Sequence, residues 1–260
     1  MRGLPFLLSR LFANLSCSGY NINIILEEYV MTIQEFLDKL QAYHAPMVFN
    51  PWRDYDAGGS DIGPEGAAIR RDNLRRYLKL RQQARYLFIA EALGYQGGHF
   101  SGIAITSERI LLGQHPDVAP ESVLGDYAYR RTSNPASSLL NKVQQAKGFN
   151  EPTDTVVWNA LNRHGLAAFD VILWNIFPFH PHKESGLLTN RTPSAAELDA
   201  GIEYARMLLQ LVPGMQVIAI GQKAAQTLQR YGVSCQAVPH PSMGGANRFK
   251  AAVAELFKEA

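Results

Sequence analysis

The chain has 260 residues, 47% of them hydrophobic and 18% charged, with a net charge of +2. That length buries a core without disulfides or metals, as one large domain rather than two, and the near-balanced charge leaves any nucleic-acid contact to a local patch. The two cysteines, Cys17 and Cys235, exclude a four-cysteine zinc or iron–sulfur site and make a reducing cytoplasm the expected compartment.

No run of about 18 apolar residues is present, so no membrane-spanning helix is expected. In residues 1–30 an apolar run, Leu4 to Leu8, lies between Arg2 and Arg10 and is too short for a signal peptide. Met31-Thr32-Ile33-Gln34-Glu35 reads as a protein start, with Thr32 as helix cap and Glu35 closing a capping box. Residues 1–30 are therefore expected to be an extension with little structure, ahead of one domain over residues 31–260.

A first helix spans about residues 32–44, and a Pro- and Gly-punctuated loop follows to residue 64. Within that loop Trp52 is expected to pack inward. Residues 66–84 read as a basic helix carrying Arg70, Arg71, Arg75, Arg76, Lys79 and Arg81; such a run is usually a solvated face and sometimes meets phosphates. The apolar run Tyr86 to Ile89 is a buried strand that leads into Glu91 and a glycine-rich loop. Glycines let a backbone approach a ligand closely.

Residues 113–135 are irregular, and helices are predicted at about 136–147 and 154–164, the second capped by Thr153 or Asp154. A second buried strand, Phe169 to Asn175, runs into Ile176-Phe177-Pro178-Phe179-His180-Pro181-His182. His180 and His182 find no third ligand at a useful spacing, so neither a metal nor another cofactor is expected. Ser194 or Thr192 caps the next helix, with Glu197 closing the box. Strands at 215–220 and 234–238 follow. The last of them leads into Pro239-His240-Pro241-Ser242-Met243-Gly244-Gly245, before a terminal helix.

Strands alternating with helices predict a three-layer α/β/α fold around a four-stranded, mainly parallel sheet. In open sheets of this kind ligands bind beyond the carboxyl ends of the strands. Glu91, Asn175 and His240 each stand at such an end and are expected to meet in one cleft. Neither a Gly-x-Gly-x-x-Gly fingerprint nor a phosphate-binding P-loop pattern is present.

An acid after the first strand, an asparagine after a middle strand and His240-Pro241-Ser242 after the last resemble the uracil-DNA glycosylase superfamily. The resemblance covers roughly residues 66–257. Glu91-Ala92-Leu93-Gly94, Asn190-Arg191-Thr192-Pro193 and Gly221-Gln222-Lys223-Ala224-Ala225 are similar to bacterial and archaeal members, in a branch without iron–sulfur cysteines. The resemblance implies a monofunctional N-glycosyl hydrolase that flips uracil, or a related deaminated base, out of single- or double-stranded DNA and starts base excision repair. It implies a monomer, with DNA as partner and no membrane, in the bacterial cytoplasm at the nucleoid.

By the same resemblance Glu91 orients the attacking water or stabilises the sugar cation, and His240 stabilises charge on the departing base. Asn175 reads the base. Gly94, Tyr95 and Ile105 help bind it, and Ser107, Ser242, Met243, Gly244 and Arg248 contact DNA. The sequence departs from the family at Ala90 (usually Gly), Leu93 (usually Pro), Ile105 (usually a stacking Phe) and Gly244 (near an apolar wedge). Two other readings stay open: a non-catalytic DNA-binding member of the fold, and a hydrolase of another N-glycoside.

Overall fold

The computed structural model describes residues 10–17, 20–27, 31–164 and 166–258. Strands β1 (Arg10–Cys17) and β2 (Tyr20–Glu27) pair antiparallel as a two-stranded ribbon. That differs from the expectation of little structure before Met31. The alternation of Asn21 and Asn23 with Ile22 and Ile24 is a period-two strand pattern that accounts for it. The run Leu4 to Leu8 lies outside the described residues.

Helix α1 (Ile33–Ala42) starts at Thr32, whose hydroxyl accepts from the Glu35 N–H while Glu35 accepts from the Thr32 N–H, as the capping box requires. It buries Phe36, Leu37 and Leu40. Strand β3 (Val48–Phe49) follows, and then Trp52, which is fully buried, lies parallel to Trp174 and donates its indole N–H to the Gly102 carbonyl at 3.1 Å.

The basic helix is α2 (Glu65–Lys79), and it is not the solvated face the sequence suggested. Arg70 is buried against Asp61 at 2.7 Å and also bonds the carbonyls of Pro51 and Asp54. Just beyond the helix, buried Arg81 donates to the carbonyls of Val171, Val123, Ser122 and Ala168, tying the helix end to the sheet. A guanidinium with five donors satisfies otherwise stranded carbonyls, a use that charge counting does not reveal.

Strand β4 (Tyr86–Ala92) is followed by the short helices α3 (Gly98–Ser101), α4 (Glu108–Leu111), α5 (Glu121–Leu124) and α6 (Lys142–Lys147), then α7 (Pro152–Arg163). The helix predicted from 136 begins only at 142. Asn134 and Ser137 accept the N–H groups of Ala136 and Leu139, and these local turns compete with helix until Asn141 caps α6. Strand β5 (Val171–Phe177) and β6 (His180–Pro181) come next, β6 pairing with β3. Helix α8 (Ala195–Leu211) starts at the predicted Ser194–Glu197 box. Strand β7 (Gln216–Ile220), α9 (Gln222–Arg230), β8 (Gln236–Val238) and α10 (Ala246–Leu256) complete the chain.

The central sheet is parallel throughout, in the order β5-β4-β7-β8. The connection after β4 runs outward to β5 and the connection after β7 runs outward the other way to β8. The gap between the carboxyl ends of β4 and β7 is therefore the switch point at which such sheets open a crevice. Helices α8 and α9 contact each other, as do α7 and α10. Right-handed crossovers put the two pairs on opposite faces, which gives the expected three layers.

Candidate active site

A pocket of about 340 Å³ opens at this switch point. Glu91, Asn175 and His240 all line it, with Gly94, Ile105, Glu151, Asn190 and Arg191.

Glu91 lies one residue before the end of β4, not beyond it. Its Oε1 stands 3.1 Å from Lys223 Nζ, an ion pair without hydrogen-bond alignment, so the oxygen has no hydrogen-bond partner among the described residues. Lys223 sits in the first turn of α9 and comes to Glu91 because β7 is the neighbour of β4.

Asn175 is an interior residue of β5 paired in register with Ala90. Trp174 turns into the α1 layer against Phe36, so Asn175 turns to the other face of the sheet. Its side chain is 2% exposed and its Oδ1 has no partner among the described residues. A buried amide oxygen without a donor costs about 1–3 kcal/mol, so the arrangement makes sense with a ligand N–H in the pocket.

His240 follows β8. Its Nδ1 accepts the Ser242 backbone N–H at 3.1 Å and lies 2.8 Å from the Ser242 hydroxyl. A backbone N–H only donates, so Nδ1 is unprotonated and the ring proton sits on Nε2. Burial pushes the imidazole below its ordinary pKa, with the Glu91 charge opposing it. The ring is therefore a neutral donor. Gly245 permits this turn, because a Cβ there would lie 2.1 Å from the His240 carbonyl oxygen.

Ile105 adopts φ +50°, a strained conformation for a β-branched residue. The Trp158 indole holds it by donating to the Ile105 carbonyl at 3.1 Å. Tyr95 is not among the pocket residues: its ring packs on Phe149 and its N–H bonds Asn190. Ser107 is fully buried with an unpartnered hydroxyl, so no DNA phosphate reaches it in this conformation. Ser242, Met243 and Gly244, which directly follow the pocket residue His240, are exposed, as is Arg248 in α10. Met243 is wholly exposed, at φ +50°. His180 is buried and spent on His99 and the Thr189 carbonyl; among the described residues no three metal-ligating side chains cluster.

A protein-family model described as the uracil DNA glycosylase superfamily matches residues 103–260. The chain belongs to this superfamily. The matched region holds Ile105, Asn175 and His240 but begins after Glu91. Among solved structures, the crystal structure of wild-type Pedobacter heparinus SMUG2 is similar in fold, with a TM-score of 0.55 at 18% identity over 86% of this chain and 97% of that one. Comparison with curated proteins gave no match.

Sequence reasoning about this glycosylase-superfamily chain missed Glu151 as a pocket residue and Lys223 as the ion-pair partner of Glu91. The α7 cap was also misplaced. Glu151 is the N-cap and Pro152 takes N1, whereas Thr153 and Asp154 lie inside the helix. Proline at the first helical position was the available signal.

Proposed function

We propose that the protein is a DNA glycosylase that hydrolyses the N-glycosidic bond of uracil or a related deaminated base, with residues 31–260 as one catalytic domain. The observation that carries this reading is the convergence of Glu91, Asn175 and a neutral, Nε2-protonated His240 on one pocket. In the reaction the bond between C1′ and the base nitrogen breaks and its electron pair leaves with the base. Water adds to C1′ and yields a proton to solvent. His240 donates a hydrogen bond to the oxygen that gains charge, and needs no proton transfer to do so. Glu91, beside Lys223, faces the positive charge that develops on the sugar and orients the water. Asn175 offers its amide N–H to a base carbonyl and its unpartnered Oδ1 to the adjacent ring N–H, a pattern that uracil matches and cytosine does not. Ser242, Gly244 and Arg248 contact the strand, and exposed Met243 enters the space the flipped base leaves.

The test is incubation with an oligonucleotide carrying a single labelled uracil, followed by alkaline cleavage at abasic sites. Strand scission with wild type and its steep loss in Asn175→Asp are the expected results. Tight binding of that oligonucleotide with no base release would favour a non-catalytic member of the fold instead.

A further inference from the structure

Opposite the residues the family resemblance highlights, the pocket carries a second acidic group. Glu151 lines it from the N-terminus of α7, and Asp154, one helical turn on, is fully buried beside it. Neither carboxyl is compensated. Apart from each other, neither acid has a side-chain partner: Asp154 Oδ1 and Oδ2 meet no donor among the described residues, and neither acid takes part in an ion pair there. Glu151 occupies the N-cap without using its side chain to cap. The carboxyl instead reaches under the glycine-rich loop: a Cβ at Gly97 would lie 2.1 Å from Glu151 Oε2 and 3.4 Å from Asp154 Oδ2, and one at Gly94 would lie 3.6 Å from Glu151 Oε2. The loop's glycines make room for this acid.

Two adjacent carboxylates both ionised in a dry site repel one another and lack solvation. The arrangement is stable only when both are protonated, Asp154 donating to Glu151 and the Glu151 proton left to face the pocket. The charged and titratable groups nearby do not offer an alternative. Glu91, in the same pocket, is paired with Lys223. Arg191 is committed to Glu197. Arg109 in α4 bonds the Gly148 carbonyl, and His115 bonds Thr155. His240 is a neutral donor to the pocket, and His99 and His180 bond each other.

We propose that Glu151 is a proton-bearing wall of the pocket, kept protonated by Asp154 behind it, which donates a hydrogen bond to a carbonyl of the flipped base. This rests on the glycosylase reading. Its chemical logic follows from the leaving group. A base departing as an anion is repelled by a carboxylate in the same pocket and stabilised by a carboxylic acid. Burial pushes both acids up, Glu151 to about 7, so the working form loses its proton on the alkaline side.

The test combines two measurements on wild type, Glu151→Gln, Glu151→Ala and Asp154→Asn, from pH 5.5 to 9. The first is single-turnover uracil release. Wild type should slow as pH rises through about 7. Glu151→Gln, which keeps a neutral donor, should flatten that limb, and Glu151→Ala should be slower than wild type by about tenfold below pH 7, with the difference closing on the alkaline side. The second is thermal melting. Glu151→Gln and Asp154→Asn should gain on wild type as pH rises. Superimposable pH–rate profiles for wild type and Glu151→Gln, or melting differences that do not change with pH, would overturn the proposal. A wild type that binds DNA and releases no base would refute the glycosylase reading. In that event the melting series alone decides whether the pair holds its protons, and a pH-independent difference overturns it.

Discussion

Two acidic sites of the fold, Glu108 and the pair Glu151–Asp154, are built in opposite ways. Glu108 is fully buried in α4 and surrounded by donors: the backbone N–H groups of Thr132 and Ser133, the Ser133 and Tyr129 hydroxyls, and Arg131 at 3.7 Å. Burial first, and then the Glu108 charge, pushes the Tyr129 hydroxyl well above its ordinary pKa, as expected beside an anion. Glu151 and Asp154 are given no such donors. A carboxylate that only has to hold loops together is supplied with every hydrogen bond it can accept. A pair kept protonated at the wall of a pocket is free to donate to whatever enters.

Breaking the satisfied site should cost most. Glu108→Ala strands two amides and two hydroxyls in the interior, and chemical denaturation should register a loss on the order of 4 kcal/mol. Glu108→Gln should also destabilise, because its amide places a donor against donors. A variant within about 0.5 kcal/mol of wild type would show that water replaces the carboxylate and that the contrast is false.

His240→Ala comes next and separates chemistry from stability. Removing one preorganised donor at developing charge typically costs about 10²–10³ in rate. Single-turnover base release should fall by that factor while the melting temperature holds, since the ring is only partly buried in a loop. Full activity in this variant would move the charge-stabilising role to Glu151 or Asn190.

The four strands of the central sheet, their order along the chain and two capping boxes were legible in the sequence, because each is written in local periodicity or in spacing of three residues, whereas the β1–β2 ribbon and the short β3–β6 pair were not. The meeting of Glu91, Asn175 and His240 was legible through the family resemblance and the rule that parallel sheets place sites at strand ends. Other features depend on what lies across the fold. Arg70 and Arg81 look like surface charge until the carbonyls that they bond are known. Glu151 and Asp154 look like ordinary acids in the first turn of a helix. Their spacing is right for capping, and only the position of Gly97 and Gly94 above them shows that Glu151 turns into the pocket. Lys223 meets Glu91 only through the adjacency of β4 and β7, which chain order does not state.

The protonated pair predicts a smaller and pH-dependent effect of the opposite sign. Both acids have folded pKa values above the ordinary carboxyl range because burial disfavours their charge. Between about pH 4 and 7 the folded protein then binds more protons than the unfolded chain, so stability falls as pH rises through that window. Asp154→Asn removes one of the two charges and supplies a donor to the other. At pH 8 it should stabilise by about 2 kcal/mol, and the gain should vanish toward pH 4, where both wild-type carboxyls are protonated in either state. A loss of stability at pH 8 would mean that Asp154 has its hydrogen bonds satisfied, as Glu108 has.

The smallest effect belongs to the third acid, Glu91, which stands between the two extremes. It is partly exposed and has one cation, Lys223, itself more than half exposed. Ion pairs this open to solvent contribute roughly 0–1 kcal/mol and are screened by salt. Lys223→Gln should therefore shift the midpoint of denaturation by less than about 1 kcal/mol, and the shift should shrink at high ionic strength. Its influence on rate should be separable from its influence on stability. Without the ammonium, the Glu91 carboxylate loses the group that fixes its position facing the sugar, so single-turnover release should slow several-fold while uracil-DNA binding changes little. Lys223→Arg, which keeps the charge, should recover most of the rate. If Lys223→Gln leaves release unchanged and weakens only DNA binding, the lysine serves the phosphate backbone, and Glu91 is positioned by β4 alone.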